Sequence, residues 1–230
     1  PVVAVHGNDD TIKAERELSY QQVVSVAGMR LFLWHSHYQD PAAESASRVG
    51  NDMAEKLERT VASARRAEAQ IAIFGHWHIP LVFRKDGVTA VNPGAIASGN
   101  EFTRQIIQSI ALLYLASDGG CHVVHVNLAE PDRPFDPAVD VHGGFTEAAS
   151  RYSASIVTPE LAVAVPMLRA ALTPEEFRLV RSVVAEAAHR CWAGELPMLD
   201  RKIVWAQLQQ SDVLPAHLYD KLAAMLEEIP

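Results

Sequence analysis

The chain has 230 residues, 49% of them hydrophobic, enough for one substantial core or two smaller ones. Its formal charge of −8 and pI near 5.7 do not favour a nucleic-acid-binding surface, because phosphate backbones select for fields of Lys and Arg. Cys121 and Cys191 are the only cysteines, which implies no disulfide framework and points to a reducing cytoplasm. No apolar run reaches the roughly 20 residues of a membrane helix.

Residue 1 is Pro inside an apolar run, without a signal-type leader, so the sequence reads as one entered partway through a domain. Val2–Val5 has strand character and runs into His6-Gly7-Asn8-Asp9-Asp10. Residues 21–26 and 29–34 read as adjacent strands around Ala27-Gly28, the second running into His35-Ser36-His37. A helix is expected over 52–67, where Met53, Leu57, Val61 and Ala64 recur at three- and four-residue spacing, with Arg59 among the charged residues of its other face. Gln70–Phe74 is a short buried strand leading into Gly75-His76-Trp77-His78-Ile79-Pro80. Residues 81–84 pair with 88–91 across Lys85-Asp86-Gly87, and 107–116 with 122–128 across Ser117-Asp118-Gly119-Gly120.

Residues 130–155, rich in Pro, Asp and Gly, read as a linker between a domain at 1–129 and an all-helical region at 156–230. Thr158-Pro159 and Thr173-Pro174 are N-cap signals, and Asp200 and Pro215 begin two further helices. Phe177, Val180, Val183 and Val184 are helix packing positions.

His122, His125, His142, His189 and His217 have no companion ligands and read as ordinary surface or hydrogen-bonded residues. Asn8, His35, His76 and His78 differ, because each follows a strand-like run and a doubly wound sheet brings strand ends to one crevice. An extended backbone would let His76 and His78 face one cavity. Imidazole and amide oxygen suit Zn, Mn, Fe or Ni.

The ordered set His6-Gly7-Asn8-Asp9-Asp10, His35-Ser36-His37, Gly75-His76-Trp77-His78-Ile79-Pro80 and Asn92-Pro93-Gly94-Ala95 resembles the calcineurin-like metallophosphoesterase superfamily, most closely its small bacterial and archaeal phosphodiesterases. The resemblance covers about residues 1–128 and implies an α/β fold, a β-sandwich flanked by helices, N-terminally incomplete here and followed by the helical region. It implies two divalent metal ions, with Asn8, His35 and His76 holding one and His78 completing the other, and a bridging hydroxide that attacks phosphorus. Asn92-Pro93-Gly94 is then a structural turn at the pocket's border.

The family's Asp-x-His and Gly-Asp motifs lie upstream of anything in this chain, which leaves three ligands for one metal and one for the other. Asp9 stands where many relatives carry a proton-donating His, and His37 is its substitute; Ser36 replaces the Gly of a His-Gly-His motif. The expected substrate is a phosphodiester or phosphorylated small molecule. The helical region could serve a homo-oligomer or a protein partner, and the alternative function is a non-catalytic binding protein on the same scaffold or one part of a split enzyme.

Overall fold

Turn chemistry sets the first hairpin. Strands β1 (Gln21–Val26) and β2 (Met29–Trp34) run antiparallel in full register from Gln21 opposite Trp34 to Val26 opposite Met29, leaving Ala27-Gly28 as the connection. The computed structural model describes residues 1–116 and 118–227; Ser117 of the expected 117–120 turn, and 228–230 of the helical region, lie outside the described residues.

The chain divides into two compact units, residues 1–98 with 105–153, and residues 99–104 with 154–230. In the first, β1 and β2 join β3 (Ile71–Phe74), β4 (Pro80–Lys85) and β5 (Val88–Pro93) in a sheet of order β1-β2-β3-β5-β4. The inner strands β2, β3 and β5 are parallel, and both edge strands are antiparallel to their neighbours, so the sheet is mixed. Short strands β6 (Thr103–Gln105) and β9 (Ser153–Ser155) pair with each other, as do β7 (Ser109–Leu115) and β8 (Cys121–Asn127). Met29, Leu31, Ile71 and Val91 on one face of the main sheet cluster with Ala111, Leu113, Leu115 and Val123 of the β7–β8 sheet, which makes the sandwich.

A parallel β2–β3 pair requires a crossover, and residues 35–70 supply it. They hold α2 (Pro41–Val49) and α3 (Met53–Arg66), after an earlier short helix α1 (Ile12–Glu17) that buries no residue. Helix α3 starts where Asp52 accepts the Glu55 N–H at 3.0 Å. Its 3.6-residue periodicity then buries Met53, Leu57, Val61 and Ala64 against Phe32, Ala72, Phe74 and Ala90.

Three segments differ from what their composition suggests. Val2–Val5 forms no strand: Val5 alone bridges Ser19, and Val2 is 95% exposed, because the preceding residues meet no ladder partner. The sheet is mixed, within a sandwich, and not doubly wound. Residues 130–155 contain α4 (Phe145–Ser150), whose Ala148 packs with Tyr152 into the cluster that holds α3. Asn51 starts this helix, accepting the Phe145 N–H on its carbonyl at 2.8 Å and the Thr146 N–H on its side chain at 2.7 Å.

The second unit is built around α5 (Pro159–Ala171), α6 (Pro174–Trp192), α7 (Arg201–Gln209) and α8 (Ala216–Glu227). Thr173 and Glu176 close a capping box, Thr173 Oγ1 accepting the Glu176 N–H at 3.1 Å and Glu176 Oε2 accepting the Thr173 N–H at 2.8 Å. Val180, Val183, Val184, Ala187, Leu199, Leu208, Leu218 and Leu222 form its core. Among the described residues no helix is long and apolar enough to cross a membrane.

Leu57 is fully buried beneath the main sheet. Leu57→Ala should lower the unfolding free energy by about 3 kcal/mol, read from urea denaturation followed by circular dichroism. A change under about 1 kcal/mol would mean that α3 is not packed on the sheet in this way.

Candidate functional site

Because β2 and β3 are parallel and Trp34 pairs with Phe74, the residues that follow them, His35 and Gly75-His76, leave the sheet at the same edge. The His35 imidazole lies between two glycines. A Cβ built on Gly7 would stand 3.1 Å from its ring atoms, and a Cβ on Gly75 would stand 3.1 Å from Nδ1. Both contacts are tighter than a side chain normally makes, so glycine at each position lets the backbone approach the ring without displacing it. Asn8, next to Gly7, accepts a hydrogen bond from His35 Nε2 at 3.0 Å. The His76 ring meets His35 edge-on, with centroids 5.1 Å apart.

Neither histidine of the 76–78 pair sits on extended backbone. His76 has φ 70° and His78 φ 59°, and the Trp77 N–H reaches back to the Gly75 carbonyl at 2.9 Å, closing a γ-turn on His76. The cause lies in the residues between and after them. Trp77 packs edge-on to Phe74 and Phe145, and Ile79 is fully buried. Drawing these two side chains into the core bends the backbone into left-handed turns. Fully buried Asn92 braces the loop root, donating to the Gly75 carbonyl at 3.1 Å, and buried His125 donates to the Asn92 carbonyl at 2.8 Å.

Ser36 is a larger departure than a Gly-to-Ser exchange suggests. Its φ of 82° lies where glycine is at ease and serine is strained. Arg59 holds the turn, donating to the Ser36 carbonyl at 2.7 Å and the His37 carbonyl at 3.1 Å while its guanidinium lies over the rings of Trp34 and Tyr38. Tyr20 also donates to the His37 carbonyl. Arg59 is therefore an anchor of the site loop rather than a solvated face residue.

Glu44 is the other residue that the spacing of motifs does not disclose. Asp40-Pro41 starts α2, Asp40 accepting the Ala43 N–H at 2.9 Å, and one turn on the buried Glu44 carboxylate faces inward. It accepts from the Tyr38 N–H, from Arg48 Nε and from His76 Nε2, each at 2.9 Å. The Asp-Pro helix start was a usable signal for α2; the reach of Glu44 across to His76 depends on tertiary packing.

Burial governs the electrostatics. It pushes His35 down to about 4, helped by the neighbouring His76 and His37. Burial also lowers His76, against the Glu44 carboxylate that opposes the shift; it lowers His37 together with nearby His6, and His78 against the charge of Asp9. Burial alone would raise Glu44, but the Tyr38 N–H, Arg48 and His76 outweigh it and hold the carboxyl below its ordinary value. The cluster is thus neutral imidazoles beside one carboxylate.

Of the residues singled out from sequence, Asn8, His35 and His76 come together. His37 stands beside them, its ring 5.4 Å from that of His35; it is 5% exposed and its Nδ1 has no hydrogen-bond partner. His78 makes no ring contact with the other imidazoles among the described residues, and exposed Asp9 acts on His78 electrostatically. Asp10, not Asp9, ties down the Gly7 turn, accepting its N–H at 2.6 Å. Among the described residues no group of three or more His, Cys, Asp or Glu is arranged to hold a metal ion. Two neutral imidazoles and an amide oxygen nevertheless fit the donor chemistry of one divalent ion of the Mn, Zn, Fe or Ni type. They do not fit a pair of ions, since His78 alone would serve the second.

A family model described as the calcineurin-like phosphoesterase superfamily domain matches residues 1–118. No curated protein matches the chain. Similar solved structures include a predicted phosphoesterase from Streptococcus pneumoniae, with 21% identity over 59% of this chain and 66% of that one, at a TM-score of 0.40. A Thermotoga maritima protein has 25% identity over 55% of this chain and 65% of its own, at a TM-score of 0.36. Wild-type Vps29 of Entamoeba histolytica, complexed with zinc, has 20% identity over 55% and 68%, at a TM-score of 0.37. The chain spans 66% and 65% of the length of the first two.

The lowered imidazoles set a pH dependence. Each binds a proton more readily in the unfolded chain, so its stability contribution is complete above the ordinary value of about 6.5 and is lost as pH falls, for His35 down to about 4. The urea midpoint of the metal-free chain should therefore drop between about pH 7.5 and about pH 5, and a constant midpoint would contradict the buried neutral cluster.

Proposed function

Because the chain belongs to the calcineurin-like phosphoesterase superfamily, we propose that it is a metal-dependent phosphoesterase acting on a phosphodiester or a small phosphorylated molecule. The observation that carries this reading is the meeting of Asn8, His35 and His76, through the 3.0 Å hydrogen bond and the edge-on ring contact. Members of the superfamily generally use divalent metals. In the proposal Asn8, His35 and His76 hold one such ion, and His78 belongs to a second whose shell these residues do not complete. When bound, the ion supplies Lewis-acid polarisation of a phosphoryl oxygen and a more acidic water.

The chain's own groups have separable tasks. Burial disfavours the imidazolium form of His35 and of His76, so each tends to offer one lone pair beside the single N–H of a neutral ring. The Asn8 amide oxygen adds a neutral donor, and the glycine cradle fixes the ring it meets. His37 and Asp9 are the candidates to hand a proton to the leaving oxygen. Burial works against the imidazolium that such a transfer would need on His37, and the charge of Glu44 works for it. The second unit would carry a partner or a second copy, and the two free thiols, Cys121 and Cys191, accord with a reducing cytoplasm.

A non-catalytic binding protein, or one part of a split enzyme, is the second reading. It is favoured by one observation, that no trio of His, Cys, Asp or Glu closes around a metal position among the described residues. Bis(p-nitrophenyl) phosphate hydrolysis by the Mn-loaded chain separates the two. The phosphoesterase reading expects retained Mn after desalting and a loss of ~100-fold or more in kcat/KM for His35→Ala and for His76→Ala. Unchanged turnover in either variant would sink the metal assignment. A chain that keeps no Mn and turns over no diester favours the binding protein.

A further inference from the structure

The Glu44 carboxylate is buried on α2, a helix outside the strand-end motifs, and its acceptor sites are largely committed. Oε2 takes the Tyr38 N–H at 2.9 Å, while Oε1 takes Arg48 Nε and His76 Nε2, each at 2.9 Å. Arg48 lies one turn along the same helix and stays largely exposed, so it alone would suffice for an ordinary i,i+4 surface pair. The contact with His76 is different in kind. It crosses between elements, joins two groups that are both largely buried, and ends on a residue held in a strained γ-turn.

A carboxylate can only accept, so His76 must donate from Nε2. A neutral imidazole carries one N–H, and this contact uses it, leaving Nδ1 as the atom with the lone pair. His35 differs: its Nε2 faces Asn8 Oδ1 at 3.0 Å, the side on which an ion shared with Asn8 would sit, while Nδ1 faces the Gly75 backbone, so such an ion would take Nε2 and leave the ring proton on Nδ1.

We infer that Glu44 is the positioning residue of His76: its carboxylate fixes the imidazole as the Nε2–H tautomer and thereby selects Nδ1 as the donor atom offered to a divalent ion. The metal half of this inference rests on the phosphoesterase reading; the tautomer half does not. A carboxylate behind an imidazole orients the ring and raises its basicity, and losing such a partner typically weakens metal binding about 10- to 100-fold.

Two measurements on the whole chain test it. In the metal-free protein, ¹⁵N-correlated imidazole spectra should show His76 as the Nε2–H form, and Glu44→Ala should convert it to a mixture of tautomers. Isothermal titration with MnCl₂ should give a Kd about 10- to 100-fold weaker for Glu44→Ala and about tenfold weaker for Glu44→Gln, which keeps shape and an acceptor for the Tyr38 N–H if the alanine variant fails to fold. Native Mn affinity in both variants, with unchanged His76 nitrogen shifts, would overturn the inference. If the native chain binds no Mn while the His76 shifts still follow Glu44, the positioning role stands and the phosphoesterase reading fails.

Discussion

The whole site depends on one steric constraint, that the His35 ring is seated between backbone segments with no side chain on either side. Gly7 and Gly75 come from different parts of the chain, one after the Val5 bridge and one after β3. With a methyl group at either position the ring or the backbone would have to shift by a few tenths of an ångström. The cradle brings Asn8 to His35 Nε2, and it brings Gly75, and with it the turn bearing His76, to the other side of the same ring. Asn92 extends this constraint into the sheet by holding the Gly75 carbonyl from the end of β5. The site is thus an extension of three parallel strand ends rather than a loop laid over them.

The seat is kept at the expense of strain. Ser36, His76 and His78 all have positive φ, and such residues cost of order 1–3 kcal/mol each when they are not glycine. The compensation is visible in what surrounds them. Trp77 and Ile79 are locked in the apolar cluster under the main sheet, and Arg59 clamps two carbonyls of the 35–37 turn while stacked on Trp34 and Tyr38. Ser36, His76 and His78 are three of the six non-glycine residues with positive φ among the described residues, and the other three, Ala27, Glu68 and Asp86, lie in turns away from His35.

Much of the scaffold was legible in the sequence because local signals sufficed. Asp86-Gly87 and Ala27-Gly28 turn in the left-handed region that hairpins need, with φ from 51° to 79°. Asp52, Thr158, Thr173 and Asp200 all cap the helices that they precede. The strand-end motifs placed His35 and His76 at one sheet edge for the same reason, since a residue after a parallel strand has a fixed destination, whereas Asn8 follows no strand and meets His35 through the turn at Gly7. What was not legible depends on partners distant in sequence. Val2–Val5 has strand composition but no ladder, and Glu44 and Arg59 look like helix surface until α2 and α3 dock and turn them inward. Backbone sign at Ser36, His76 and His78 is likewise set by the core packing of their neighbours, which no spacing rule encodes.

The central proposal is that this cradle would hold His35 and His76 as paired nitrogen donors to one divalent ion. X-ray absorption at the Zn edge, on the chain loaded with about one equivalent of zinc, tests it most directly. The account predicts outer-shell scattering from two imidazole rings, falling to one in His35→Ala. A spectrum fitted by oxygen ligands alone, unchanged by that substitution, would contradict it.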